Sequence, residues 1–221
     1  MAVSLQHVGL LVAIEGIDGS GKGTQAGLLR ERAEREGLRV ATFSFPRYGA
    51  NLFADACGRY LNGEWAGAPP EFAALLYAGD RLAARDELEE AVRASDVVVL
   101  DRYVASNLAH QGANAEPERR EQVVSWIADV EFGVYRLPRP QLTVLLELPV
   151  ERAREQVRRK APRDYTQLAE DVLESADDHL AAAAEVYASL ARSDPSWTRV
   201  DAARPPDEVA ADVWRLVEER R

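Results

Sequence analysis

Short strand-like segments punctuate this chain, and the segments between them carry apolar residues at helical spacing. Val8 to Ile14 is a near-continuous apolar run and Val97 to Leu100 is fully apolar, the pattern of strands buried on both faces of a parallel sheet. Leu38 to Phe43, Leu142 to Leu148 and the short Trp197 to Asp201 read as three further strands. The first helix is predicted over Gln25 to Glu36, with Leu28 and Leu29 inward and Gly37 as its cap. Pro69-Pro70 opens a long helix whose Phe72, Leu75, Leu76, Gly79, Leu82 and Ala83 read as the buried stripe. Glu116 to Val130 is helical with Val123, Trp126, Ile127 and Val130 on one side. Gln167 to Arg192 carries Leu168, Val172, Leu180, Tyr187 and Leu190. Pro205-Pro206-Asp207 starts a last helix with Val209, Val213 and Leu216 inward. Strands and helices thus alternate, with crossovers long enough to be right-handed and parallel, which predicts an α/β fold. There is no internal repeat, linker or low-complexity run. The expectation is one domain over residues 1–221, with residues 1–7 a short lead-in.

The first strand runs into Gly16-Ile17-Asp18-Gly19-Ser20-Gly21-Lys22-Gly23-Thr24 and then into the first helix. Gly-x-x-x-x-Gly-Lys in a strand–loop–helix context is the P-loop spacing. Successive backbone N–H groups and a helix N-terminus face an anion there, and the lysine reaches the outer phosphates. The fold class is therefore the P-loop NTPase fold: a five-stranded parallel sheet flanked by helices on both faces. Residues Gly16 to Thr24 are the candidates for binding ATP with Mg²⁺. One position departs from the motif: the residue after Lys22 is Gly23, so the hydroxyl that usually binds the metal is absent and the nearest one is on Thr24.

Chemistry-bearing residues also gather at the other strand ends. Ser44-Phe45-Pro46-Arg47-Tyr48-Gly49 follows the second strand, at the carboxyl edge where open α/β sheets bind ligands. Tyr77 and Arg81 lie four apart and share one helix face, offset from Leu75 and Leu82; on spacing alone they read as a surface pair, or as a clamp for a planar base. Asp101-Arg102-Tyr103-Val104-Ala105-Ser106-Asn107 follows the third strand. An acid at that point can hold Mg²⁺ or its waters, and the arginine can grip a phosphate. Arg152, Arg154, Arg158, Arg159, Lys160 and Arg163 make a cationic cluster, read as an arginine-rich lid at about 150–165, with a solvated helix face as the alternative.

That local cluster matters because Lys plus Arg number 27 against 37 Asp plus Glu, a net charge of −10. Such a balance argues against non-specific binding to nucleic acid or to an anionic membrane, so positive charge for an anionic ligand must be concentrated locally. The single cysteine, Cys57, forms no internal disulfide, and no apolar stretch approaches the ~18 residues of a membrane span. The expectation is a cytoplasmic, soluble protein. A P-loop alone does not say whether the γ-phosphoryl goes to water or to another molecule. Arg47, Tyr48 and Arg102 supply a second anion site beside it. A phosphate monoester acceptor is mostly a dianion at neutral pH and needs no base. In agreement, His7, His110 and His179 form no base motif with the loop. Lys22, Arg102 and the lid arginines, Arg158 and Arg163 among them, are the candidate catalytic groups.

Taken together, Glu15-Gly16-x-Asp18-Gly19-x-Gly21-Lys22, Phe45 to Gly49, the Tyr77–Arg81 pair and Asp101 to Asn107 resemble the bacterial thymidylate kinases from about Leu11 to Arg192. The resemblance implies a homodimer that transfers phosphate from ATP·Mg²⁺ to dTMP. It implies that Tyr77 stacks on thymine, that Arg81 and Asn107 recognise the base, and that Arg102 holds the dTMP phosphate within a pocket framed by Phe45, Arg47 and Tyr48. His110 stands where the family often carries a tyrosine near the deoxyribose, and Gln111 lies beside it. Asp18 resembles the loop acid near the sugar 3′-hydroxyl and the metal, and Asp171 and Glu174 resemble an acidic pair after the lid. With Gly23 in place of a hydroxyl, the metal relies on Asp18, Asp101, waters and the nucleotides. Gly19 stands where one branch of the family carries an arginine; the branch without it takes that charge from the lid. Two alternatives stay open: a kinase for another nucleoside monophosphate, since Gly-Lys-Gly-Thr-Gln also occurs in adenylate kinases, and a nucleotide-binding regulatory module.

Overall fold

The computed structural model describes residues 8–159 and 173–221, with side chains of the second segment from 178 onward. The strands are β1 (Leu10–Glu15), β2 (Val40–Ser44), β3 (Val97–Asp101), β4 (Leu142–Glu147) and β5 (Trp197–Asp201). They form a five-stranded sheet of order β2-β3-β1-β4-β5, every pairing parallel. The P-loop strand β1 is thus central, and the strand ends that carry Phe45 and Arg102 lie on one side of it. Its six residues are all buried, as a strand covered on both faces requires.

Alternation along β1 divides the core between the faces. Leu10, Val12 and Ile14 pack with Leu29 and Ala33 of α1 (Lys22–Arg35) and with Val213, Leu216 and Val217 of α8 (Pro206–Glu218). Leu11 and Ala13 face the other way. They meet Leu88 of α3 (Pro70–Ala94), Leu108 of α4 (Val104–Asn114) and Val123 and Ile127 of α5 (Arg120–Ala128). Helix α7 (Leu173–Ser193) lies beside α4, with Val186 and Tyr187 against Ala105 and Ala109. Each large aliphatic side chain so buried contributes roughly 1.5–3 kcal/mol. Among the described residues no helix is long and apolar enough to cross a membrane.

Three parts of the pattern come out differently. Helix α1 starts at Lys22 rather than Gln25, because Gly21 takes the left-handed conformation that turns the loop directly into the helix. Helix α2 (Leu52–Leu61) was hidden by its composition: Leu52 faces outward and Phe53 is only partly covered, and it is Asn51 that nucleates it by accepting the N–H groups of Phe53 and Ala54. The region 116–130 is a short 3₁₀ turn (Pro117–Arg119), α5, and a π-helical turn (Asp129–Val134).

The largest correction concerns α3. Its buried side is Ala73, Ala74, Ala78, Gly79, Asp80, Arg81, Ala84 and Leu88, whereas Leu75 is 40% exposed. Small residues let neighbouring helices approach closely. A Cβ on Gly79 would collide with the ring of Phe53, so this glycine is what lets α2 lie on α3. The consequence for function is that Arg81 points into the protein and not, as spacing alone suggested, to the surface.

Candidate active site

At the carboxyl edge of β1, β2 and β3 lies a cavity of about 340 Å³ whose walls are two chemically distinct ends. One end holds Phe45, Tyr48, Tyr60, Tyr77, Arg81, Asn107 and Gln111. Arg81 donates through Nε to Glu131 Oε2 at 2.5 Å and through Nη2 to Glu131 Oε1 at 2.7 Å, with both side chains buried. Asn107 Nδ2 donates to the same Glu131 at 2.8 Å and to the Ala74 carbonyl at 3.0 Å. The Asn107 amide oxygen is buried, and among the described residues it has no hydrogen-bond partner. A buried acceptor in that state is costly unless a ligand donor fills it. Glu131 was not among the residues singled out from sequence. It lies fifty positions from Arg81, and no local signal marks it beyond an acid standing between Val130 and Phe132.

The other end is formed by Asp18, Arg102, Ser106, His110 and His179. Arg102 sits in the turn from β3 to α4 with φ +64°, a left-handed conformation that L-residues adopt at a cost. Its Nη2 is ion-paired with Asp18, and Nη1 reaches Ser106 Oγ at 3.4 Å. Lys22 Nζ, buried, donates to the Gly16 and Ile17 carbonyls at 2.8 Å each and lies 3.8 Å from Asp18. Burial first, and then the positive charge of Arg102, lower the Lys22 pKa to about 7. The loop's cations thus rest on partners that an incoming phosphate can replace.

His110 Nδ1 is 3.1 Å from His179 Nε2, and the rings stack at 5.4 Å. Burial lowers the His110 pKa to about 3 and depresses that of His179, so His110 is neutral at physiological pH. His179 is a second residue that only the fold could reveal. It lies sixty-nine positions from its partner.

Arg47 behaves differently from the expectation that it frames the pocket. Its guanidinium is held by Asp80 at 3.3 Å and Glu87 at 3.0 Å and covers the Phe45 ring, leaving Tyr48 and Phe45 to line the cavity. Asp101 stands under the first turn of α1: a Cβ on Gly23 would lie 3.2 Å from its Oδ2. The carboxylate therefore lies directly against position 23, where the usual motif carries a hydroxyl-bearing side chain. Gly19, at φ +86°, is pressed against the backbone of Ala153 in α6 (Val150–Arg159), and any side chain there would collide with it. An arginine at position 19 is thus excluded by packing. Arg158 is exposed near the end of α6; Lys160, Arg163 and Asp171, and the side chain of Glu174, lie outside the described residues.

On the opposite side of the loop a smaller cavity of about 150 Å³ is lined by Ser20, Gly21, Thr24, Gln25, Arg152 and Ala202 to Arg204. Arg152 donates to the Ala203 carbonyl at 3.0 Å, and Gln25 to the Pro206 carbonyl at 3.0 Å. Ile17 backs the loop from within the core. The two pockets thus share the loop, one reached from Asp18 and the other from Ser20, Gly21 and Thr24.

Sheet order and loop define a P-loop NTPase-fold protein, and the second pocket facing the lysine is what a phosphotransferase needs and a simple hydrolase does not. The chain belongs to the thymidylate kinase family, whose model matches residues 14–213. It is 36% identical over 208 residues to the thymidylate kinase of Mycobacterium tuberculosis, covering 92% of this chain and 97% of that one. It is 34% identical to the probable thymidylate kinase of Pyrobaculum calidifontis, over 95% of this chain and 96% of that one. The solved structure of thymidylate kinase from Candida albicans shares the fold, with a TM-score of 0.76 at 24% identity over 96% of this chain and 92% of that one.

Proposed function

We propose that this protein transfers the γ-phosphoryl group of ATP to dTMP, giving dTDP and ADP. The observation that carries the reading is the two-ended cavity: an aromatic and amide end sized for a base, and a cationic end that faces Lys22. Tyr77 stacks on thymine, Arg81 and Asn107 bond its edge, Gln111 and His110 line the sugar side, and Arg102 takes the phosphate, exchanging Asp18 for it. Because the acceptor is a phosphate dianion, its oxygen attacks without a general base. The residues' work is to hold two anions in line and neutralise their repulsion, for which Lys22, Arg102 and the lid arginines Arg158 and Arg163 are the candidates. ATP lies along Gly16 to Thr24, with its base toward Arg152 and the 202–204 turn.

Mg²⁺ fits the residues present. Among the described residues no three acidic, His or Cys side chains group to cage a metal, and Mg²⁺ in phosphoryl-transfer sites takes one or two carboxylates plus phosphates and waters. Asp101 and Asp18 are those carboxylates, and Asp101 Oδ2 lies 3.2 Å from where a Cβ on Gly23 would stand. When bound, the ion would neutralise charge on the donor phosphates. The partner of the chain is a second copy: Leu52, 76% exposed, and Leu75 offer apolar surface on the adjacent helices α2 and α3. One domain with a lid at about 150–165 completes the reading, and Asp171 and Glu174 stand beyond the lid.

Chromatography of the protein with ATP, Mg²⁺ and dTMP tests it. dTDP and ADP formed in equal amounts support the reading, and ADP with inorganic phosphate but no dTDP would overturn it.

A further inference from the structure

Glu15 closes β1 immediately before the P-loop, and its carboxylate is fully buried. A buried carboxylate is tolerated only where its lone pairs are filled. Four donors fill them, all from outside its own strand. Oε1 accepts the backbone N–H of Tyr103 at 2.7 Å and of Ser106 at 3.3 Å. Oε2 accepts the Ser106 hydroxyl at 2.7 Å and the Tyr187 hydroxyl at 3.0 Å.

The two backbone donors are not arbitrary. Tyr103 is the N-cap residue of α4, and Ser106 is its third helical residue. A self-contained capping box satisfies these same two N–H groups, using a Ser or Thr at the cap and a Glu or Gln three residues on. Helix α4 has neither, and the Tyr103 side chain makes no cap bond. Glu15 supplies the missing bonds from the neighbouring strand, and its charge stands at the positive end of the helix dipole. The helix so capped carries the acceptor site: Arg102 leads into the cap and contacts Ser106, and Asn107 follows one residue later. Tyr187 joins α7 to the same carboxylate.

We propose that Glu15 is a positioning residue, a helix cap lent by the P-loop strand that holds the first turn of α4, and with it Arg102 and Asn107, in register with Lys22. The inference rests on the reading of this cavity as the dTMP site. It differs from a plain packing role because it ties acceptor affinity, and not donor affinity, to one carboxylate.

The test is Glu15→Gln in the full chain, which keeps the shape but replaces an accepting oxygen with a donating amide. Two quantities are read: amide hydrogen exchange along residues 103–106, and the separate affinities for dTMP and ATP by calorimetry. Exchange at Tyr103 and Ser106 is expected to rise about tenfold. dTMP affinity is expected to fall about tenfold, with ATP affinity within about twofold. Unchanged exchange would overturn the cap; faster exchange with dTMP affinity intact, or with both ligands weakened equally, would overturn the positioning role. Should that variant not fold, Tyr187→Phe removes one donor and is expected to weaken dTMP alone by about threefold; unchanged dTMP affinity there overturns the proposal. A native protein that binds no dTMP refutes the substrate reading instead, and the exchange measurement by itself then decides whether Glu15 caps α4.

Discussion

Arg81 and Arg102 stand at opposite ends of one cavity and show two uses of the same side chain. Arg81 is 3% exposed and bonded twice to Glu131, itself fully buried, with Asn107 sharing the acid. Arg102 is 23% exposed, sits on a left-handed backbone, and is paired with Asp18, which is 32% exposed. Breaking the first pair would leave a charge stranded in a low dielectric. The second can trade a carboxylate for a phosphate at little cost, because Asp18 can turn to water, metal or Lys22. In the proposed reading the preformed end selects the ligand, and the exchangeable end reacts with it.

The sharpest way to break this contrast is to remove each arginine's contribution and ask what is lost. Arg102→Ala is expected to lower kcat/KM for dTMP by about 10³-fold, with ATP affinity within about threefold and folding stability nearly unchanged; steady-state kinetics and urea unfolding check it. Glu131→Ala is expected to do the reverse. It strands Arg81 and should cost about 3–5 kcal/mol of stability by urea unfolding, before any effect on turnover is considered. If Arg102→Ala proved the destabilising change, the two ends would have been assigned the wrong way round.

A smaller effect follows from Lys22. Its pKa of about 7 in the free protein is depressed from 10.5, and neighbouring phosphates raise it again. ATP binding at pH 7 is therefore expected to take up about half a proton, read by calorimetry in buffers of different ionisation enthalpy. Affinity should weaken as pH rises above about 7. In the free protein the sign runs the other way: stability rises with pH. Burying the charged amine costs stability in full below about pH 7, and the cost fades as pH rises toward 10.5. Lys22→Met should remove both effects. The smallest change expected is for Gly23→Ser. Asp101 already lies against that position, so the Mg²⁺ concentration for half-maximal activity should move by less than about threefold.

The same contrast explains what was legible in the sequence. The exchangeable end is built from strand-end motifs, where spacing and chemistry are local: Gly16 to Lys22 after β1, Asp101-Arg102 after β3. The inner strands β1, β3 and β4 were legible for the same reason, since a buried parallel strand is a largely apolar run, whereas the edge strands β2 and β5 are only partly buried and carry polar residues. The preformed end is tertiary. Arg81 reads as a surface residue because the large leucines of α3 advertise a stripe, while the face that packs inward is made of alanines and Gly79. Those small residues at helical spacing, Ala74, Ala78 and then Arg81, were the available signal. Glu131 and His179 carry none, because each is defined by a partner fifty or more positions away. Arg47 shows the converse: a guanidinium in the right loop whose two acidic partners, Asp80 and Glu87, come from another helix and occupy it.

The measurement that bears most directly on a selecting end joined to a reacting end is an acceptor screen, in which ADP release is followed with dTMP, dUMP, UMP, CMP and AMP at fixed ATP and Mg²⁺. The expected result is a kcat/KM for dTMP well above all the others, with AMP close to the rate seen without acceptor. A preference for AMP, or a rate of ADP release that is the same whichever acceptor is present, would contradict it.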